Sequence, residues 1–336
     1  MNYKLKKISG DASFREFYRL KKGNKTSIIV QANKEKFKNL IAYAIINKIL
    51  KKNKINAPKL ISNHFQHNII EISDLGEKSF YNKILKKNNK FYYYKDLIKI
   101  IFKLQKIKIK KNYRLGKYKL KLQKYSLQNL HRESDLFFDW YLKFSSKNLK
   151  ISKVKRILKK ELNKIYKKLY FKNDTFVHRD FHASNIMISK KALGLVDSQD
   201  AIIGNPLYDV ASLIDDVRIK LPENLQNKLL KFYHSKSKLK SENFHNLKND
   251  YDILSVQRNF KILGIFVRLS KRDNKSTYLK YLPYTWSLIN RRLKNPIFKN
   301  FQILLNKHIK LKKWNNTGFN FVLQARNNRF VILNVF

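Results

Sequence analysis

The chain has 336 residues, 43% hydrophobic and 13% aromatic, enough for one large or two medium domains with real cores. It contains no cysteine, which excludes a disulfide framework, a thiolate nucleophile and a cysteine zinc site. The net charge of +51 (Lys+Arg 74, Asp+Glu 23) is mostly lysine dispersed among Asn and Ile, and with no arginine-rich module or recognition signature it implies no specific nucleic-acid partner.

The N-terminus, MNYKLKKISGDASF, lacks the apolar core of a signal peptide. No window approaches the roughly 18 apolar residues of a membrane span, so no membrane partner and a cytoplasmic location are expected. Residues 4–31 read as β-rich. Phe14 to Leu20 alternates, Lys22-Gly23-Asn24 is a turn, and Thr26 to Val30 is β-branched. Ahead of them lies a small polar loop, Ser9-Gly10-Asp11-Ala12-Ser13. Residues 34–51 show helical spacing through Phe37, Leu40, Ile41, Ala44, Ile45 and Ile49. After Pro58, short apolar runs follow at Leu60-Ile61 and Ile69-Ile70-Glu71-Ile72.

A small sheet with one helix is therefore expected over residues 1–75, ending near Asp74-Leu75-Gly76. Residues 76–313 read as mainly helical, interrupted by a loop and two short strands around 177–200. The stretch 314–336, with Phe330-Val331-Ile332-Leu333 after Asn-rich turns, fits either a strand or a disordered tail. The expected fold class is α+β, a bilobal protein-kinase-like arrangement with a β-rich N-lobe and a larger helical C-lobe.

The segment VHRDFHASNIMISKKALGLVDSQD, Val177 to Asp200, carries the chemistry. Asp180 sits in His-Arg-Asp, Asn185 follows five residues on, and Asp197 comes after two strand-like runs. Phosphoryl transfer needs a carboxylate that takes the proton of the attacking hydroxyl. It also needs hard oxygen ligands for Mg2+ on the nucleotide phosphates. Asp180 is the candidate base, and Asn185 and Asp197 are the candidate metal ligands. Asp200 is open between shaping the loop and supporting the site.

His178 and His182 stand four apart, but in a loop that spacing does not bring two imidazoles onto one metal. Packing and backbone hydrogen bonds are the expected roles. Gly10 and Ser13 lie in a loop whose backbone N–H groups could cover the phosphates, with Arg15 or Arg19 adding charge. Where protein kinases carry a phosphate-pairing lysine on the third strand, this chain reads Ile28-Ile29-Val30-Gln31. Arg15 is expected to substitute in part for that lysine.

These residues resemble the aminoglycoside phosphotransferase and choline kinase superfamily. The more specific resemblance is to the anomeric amino-sugar kinases of bacterial cell-wall recycling. It is carried by Gly10-Asp11-Ala12-Ser13-Phe14-Arg15 with Phe17-Tyr18-Arg19, by Asp74-Leu75-Gly76, by Arg132-Glu133 through Trp140-Tyr141, and by the 177–200 segment continued through IIGNPLYDVASLIDD. Gln257 to Phe266 with Arg268-Leu269 and Arg272-Asp273 completes it, so that it spans about residues 8–290. The resemblance implies ATP with Mg2+, Asp74 among the nucleotide-binding residues, and an N-acetylmuramate or N-acetylglucosamine acceptor phosphorylated at C1. It further implies Glu133, Arg179 and Arg258 as contacts to the sugar. Arginine can bind a lactyl carboxylate bidentately. A sugar-1-phosphate uridylyltransferase is the implied pathway partner. Ser198 departs from the family, which usually has Phe after the metal aspartate. The alternatives are another small hydroxyl acceptor (an aminoglycoside, choline or homoserine) or a non-catalytic binding protein of the same fold.

Overall fold

The computed structural model describes residues 3–8, 15–32, 38–145, 150–189, 192–309, 323–326 and 329–332. The first 75 residues supply a five-stranded antiparallel sheet: β1 Tyr3–Ile8, β2 Glu16–Lys22, β3 Lys25–Gln31, β4 Leu60–His64 and β5 Ile69–Ser73, in the order β1-β2-β3-β5-β4. Gly23 takes φ +55° at the first position of the two-residue β2–β3 loop, the place where a primed hairpin turn requires it.

The helix Lys38–Lys52 follows, within the stretch where helical spacing was expected. It is buried almost all round, from Leu40 to Asn47 and again at Ile49 and Leu50. A helix apolar on every side belongs inside, and here it fills the space between the sheet and the rest of the chain.

The remainder is largely helical, as read from the sequence. The longest element, Phe244–Asp273, begins at Asn243, whose side chain accepts the His245 N–H, and ends at Asn274 in the left-handed region. It packs against Leu127–Leu136, against the π-helical turn Phe137–Leu142 that continues it, and against Leu282–Leu293. Phe137, Phe260 and Trp286 meet in the middle of this core, with Trp286 Nε1 donating to Tyr141 Oη at 2.6 Å.

Residues 113–120 depart from the helical reading. Tyr113–Leu115 and Tyr118–Leu120 form a small hairpin around Gly116 at φ +54°, where the alternation Tyr-Arg-Leu-Gly-Lys-Tyr-Lys-Leu suits strands. At the C-terminus, Leu323–Arg326 pairs with Arg329–Ile332 as a two-stranded hairpin, the strand alternative for that stretch. No helix among the described residues is long and apolar enough to cross a membrane.

Candidate active site

The strand Thr175–Val177 pairs antiparallel with Ile202–Gly204, and the chain leaves it into the loop bearing His178, Arg179 and Asp180. Asp209 ties this loop down. Its carboxylate accepts the backbone N–H of His178 at 2.7 Å and of Arg179 at 2.9 Å. Burial pushes the Asp209 carboxyl up to about 6, with His178 and those two N–H bonds opposing the rise. Arg179 then adopts φ +78°, and Asp197 φ +63°. Side chains rarely tolerate this left-handed backbone, and where it persists the surroundings must over-determine it.

Asn185 closes the short turn Ala183–Asn185 and leads directly into Ile186–Ile188, which forms a hairpin with Leu193–Leu195. The Val196 N–H donates back to the Asn185 carbonyl at 3.0 Å, which holds Asn185 beside Asp197 at the open end of the hairpin. Nδ2 of Asn185 donates to the Asp180 carbonyl at 3.0 Å and lies 3.3 Å from His182 Nε2. That commits the amide hydrogens to the protein and leaves Oδ1 as the group offered to the cleft.

A cleft of 690 Å³ runs between the sheet and the helical part. Asp180, Asn185, Asp197, Arg15, Arg258 and Lys261 all line it, so the sequence-predicted base and metal ligands converge on one space. Burial favours the neutral form of Asp180. Lys261, Arg258 and Arg179 outweigh it and hold the carboxyl below the usual range. The group is therefore an ionised acceptor at neutral pH. Arg258 is only 5% exposed, and among the described residues no carboxylate pairs with it.

Asn185 Oδ1 and the Asp197 carboxylate form a sparse hard-oxygen set. No cluster of three His, Cys, Asp or Glu suited to a metal occurs among the described residues. Two protein oxygens suit an ion that keeps waters and shares substrate phosphates, which is the habit of Mg2+.

Arg15, 6% exposed, reaches from the edge of β2 to this point, with a nitrogen 2.5 Å from Asp197 Oδ1 and another donating to Gln199 Oε1 at 2.7 Å. Arg19 reaches the hinge instead. Its Nε donates to Asp74 Oδ2 at 2.6 Å, and further bonds go to the Gly76 carbonyl and to Glu77. Asp74 lines the cleft, yet its carboxylate is already engaged by Arg19 and by the Gly76 N–H. Gly10 and Ser13 lie outside the described residues.

Glu133 and Arg179, which the family resemblance implies as contacts to the sugar, are absent from the cleft lining. Glu133 Oε1 accepts from Arg179 and from Lys261 Nζ at 3.2 Å. Its Oε2 accepts from Tyr125 Oη at 2.6 Å, Gln257 Nε2 at 3.2 Å and Tyr208 Oη at 3.3 Å. A carboxylate with this many donors has no lone pair left for a sugar. What it does is tie Lys261, and with it the long helix, to Arg179 in the loop that bears Asp180.

Burial opposes ionisation of Glu133, but Lys261 and Arg179 hold its carboxyl well below the usual range. A depressed carboxyl stabilises the fold fully above its unfolded pKa of about 4.3, and the contribution is lost as pH falls below that. Glu133→Gln keeps the shape and removes the charge, and should cost about 2–3 kcal/mol in chemical denaturation at pH 7. The deficit should shrink toward pH 3. A deficit unchanged with pH would contradict the account.

Lys261, Gln257 and Asp209 carried no role in the sequence reading. Gln257 and Lys261 are four apart on one helix face, a spacing that marks a shared target. Asp200 lies 3.9 Å from Arg179 and accepts from Gln199, so it shapes the loop at the cleft mouth. His178 packs against Phe181, their ring centroids 6.1 Å apart. Ser198, the departure from the family pattern, donates to Asn47 Oδ1 on the buried helix at 2.7 Å, a polar link where Phe would have packed.

Residues 4–245 match the family model described as phosphotransferase enzyme family. The N-acetylmuramate/N-acetylglucosamine kinase of Pseudomonas aeruginosa is 26% identical over 282 residues, 82% of this chain and 79% of that protein. The enzyme of the same name from Neisseria meningitidis is 24% identical over 294 residues, 86% of each chain. Among solved structures, ADP-bound aminoglycoside phosphotransferase APH(2'')-Ib superposes with a TM-score of 0.59 at 13% identity. The match covers 86% of this chain and 94% of that one, a likeness of fold.

Proposed function

The chain belongs to the phosphotransferase enzyme family, and from that premise we propose that it moves the γ-phosphoryl group of ATP to the anomeric hydroxyl of an N-acetylated amino sugar. N-acetylmuramate and N-acetylglucosamine are the acceptors and the sugar 1-phosphate the product, a step in peptidoglycan recycling. The observation that carries the reading is the convergence of Asp180, Asn185 and Asp197 on one cleft with Arg258 and Lys261 among its cations. The kinase names of relatives aligned over most of the chain supply the acceptor class.

In this reading residues 1–75 form the lobe over the nucleotide phosphates, and residues 76–313 carry the base and the acceptor. Asp180 hydrogen-bonds the anomeric hydroxyl and takes its proton as the O1–P bond forms and the bond from Pγ to the ADP oxygen breaks. Because the transition state is loose, orienting that hydroxyl matters more than the strength of the base. Arg258 and Lys261 sit where they can stabilise charge on the transferring group and neighbouring acceptor oxygens. Asn185 and Asp197 would hold Mg2+, whose charge offsets that of the phosphates when it is bound. Asp74 orders the hinge through Arg19, which leaves backbone groups to read the nucleotide base.

Arg15 takes the phosphate-pairing part that Gln31 cannot, swinging from Asp197 to the phosphates when ATP and metal enter. Arg15→Ala should raise the KM for ATP about tenfold. Unchanged KM and kcat would remove Arg15 from the phosphate site.

Steady-state turnover with ATP and Mg2+ tests the acceptor class across N-acetylmuramate, N-acetylglucosamine, choline, homoserine and an aminoglycoside. The amino sugars should give the highest kcat/KM. A higher value for choline, homoserine or the aminoglycoside would overturn the assignment, and ATP consumption with none would favour a binding protein.

A further inference from the structure

A second cavity of 280 Å³ opens beside the cleft and shares Ser184, Arg218 and Tyr278 with its wall. Ser184 lies in the turn between the base Asp180 and the ligand Asn185, so this side pocket adjoins the reacting centre. Three further segments build it around Ser184. The helix Phe80–Leu85 brings Tyr81, the stretch after Tyr208–Ile214 brings Arg218, and the 3-10 turn Ser276–Tyr281 brings Tyr278, Lys280 and Tyr281.

The chemistry of the lining is one-sided. Two cations and several hydroxyls face the space, and no acidic side chain lines it among the described residues. Arg218 is held from behind by buried Asp216, whose Oδ1 accepts its backbone N–H at 3.1 Å and lies 3.4 Å from its Nη1. Asp216 thus offsets one of the two charges and fixes the guanidinium, and Lys280 leaves the pocket positive. A fixed guanidinium, a lysine and tyrosine hydroxyls suit a carboxylate, which accepts several charge-assisted hydrogen bonds at once.

We infer that this side pocket is a carboxylate subsite, in which Arg218 and Lys280 receive the acidic arm of the acceptor sugar. The inference rests on the amino-sugar reading above and deepens it. In N-acetylmuramate the lactyl ether stands on C3, two carbons round the ring from the C1 hydroxyl. With that hydroxyl at Asp180, the carboxylate must leave the catalytic centre sideways. Arg258, whose charge acts directly on Asp180, belongs to the reacting end, so the arm needs cations of its own. The pocket beside Ser184 supplies them. N-acetylglucosamine lacks the arm and leaves the pocket to water, so Arg218 and Lys280 determine preference between the two sugars and not the chemistry itself.

The test measures kcat/KM with ATP for N-acetylmuramate, for its uncharged carboxamide and for N-acetylglucosamine, in the native protein and in Arg218→Met and Lys280→Met. The native protein should favour the acid over the carboxamide. Each variant should lower kcat/KM for the acid about tenfold or more, chiefly through KM, while the two neutral sugars change within about threefold. Lys280 is exposed, so Lys280→Met keeps the test decisive if loss of Arg218 unsettles Asp216 and the fold. Equal losses on all three sugars, or no loss on the acid, would overturn the subsite while leaving an amino-sugar kinase in place. Turnover of none of them by the native protein, with another acceptor consumed, would overturn the amino-sugar reading and the subsite with it.

Discussion

Asp180→Asn is expected to lower kcat by about 10²–10⁴-fold and to leave ATP affinity within about twofold. The amide fills the same volume and can still hydrogen-bond an acceptor hydroxyl, so the fold and the nucleotide side of the cleft are untouched. What it cannot do is take the proton. The native carboxylate is prepared for that task, because Lys261, Arg258 and Arg179 hold it ionised despite burial. Its folded pKa lies below the ordinary 3.8, so Asp180 should place no acid limb on the kcat/KM profile above about pH 4. Stopped-flow or steady-state assays on the variant, with fluorescent nucleotide titration alongside, separate the two effects. More than a tenth of the native turnover would remove Asp180 from the role of base, and a matching loss of ATP affinity would place it on the nucleotide.

Gly264→Ala should be the most damaging glycine-to-alanine change among the described residues, costing about 4 kcal/mol or more. A Cβ built at Gly264 would lie 2.2 Å from the Leu136 carbonyl oxygen and 2.3 Å from its carbonyl carbon. Both are backbone atoms, so no rotamer change can relieve the contact. Leu136 ends the helix Leu127–Leu136 where the π-helical turn begins, and such a turn is already a departure from regular geometry. The two helices must therefore separate. Lys261 lies about one turn before Gly264 and Glu133 about one turn before Leu136, so separation also pulls at the bond between them. Thermal and urea unfolding should show the loss, and the surviving folded fraction should carry reduced kcat. A variant within 1 kcal/mol of the native protein would mean that the close helix crossing is not needed.

The lobes were legible because most of their single elements follow one period. Alternation over Phe14 to Leu20 and β-branching over Thr26 to Val30 gave strands, and three- and four-residue spacing gave helices. The convergence of the candidate base and metal ligands was legible for another reason. Asp180, Asn185 and Asp197 sit within one short segment whose spacing is set by one loop and one hairpin, so local sequence contains the geometry.

Glu133 shows where this stops. Its partners Tyr125, Arg179, Tyr208, Gln257 and Lys261 are scattered over more than a hundred residues. A buried support and a substrate contact look alike until those donors are placed. Lys261 was hidden by abundance, one of 74 cations with nothing local to mark it. Ser198 read as a lost aromatic, and only the fold shows Asn47 opposite it. The side pocket joins Tyr81, Arg218 and Lys280 from three unconnected segments, a meeting that no window of sequence contains.

Phosphorus NMR of the product tests most directly the proposal that the chain phosphorylates the anomeric hydroxyl of an amino sugar. N-acetylmuramate incubated with ATP, Mg2+ and the protein should give a single sugar phosphate whose phosphorus couples to the anomeric proton H1, and Asp180→Asn should abolish the signal. A phosphate ester on any other sugar oxygen, or an untouched sugar while ATP is spent on a different acceptor, would contradict the account.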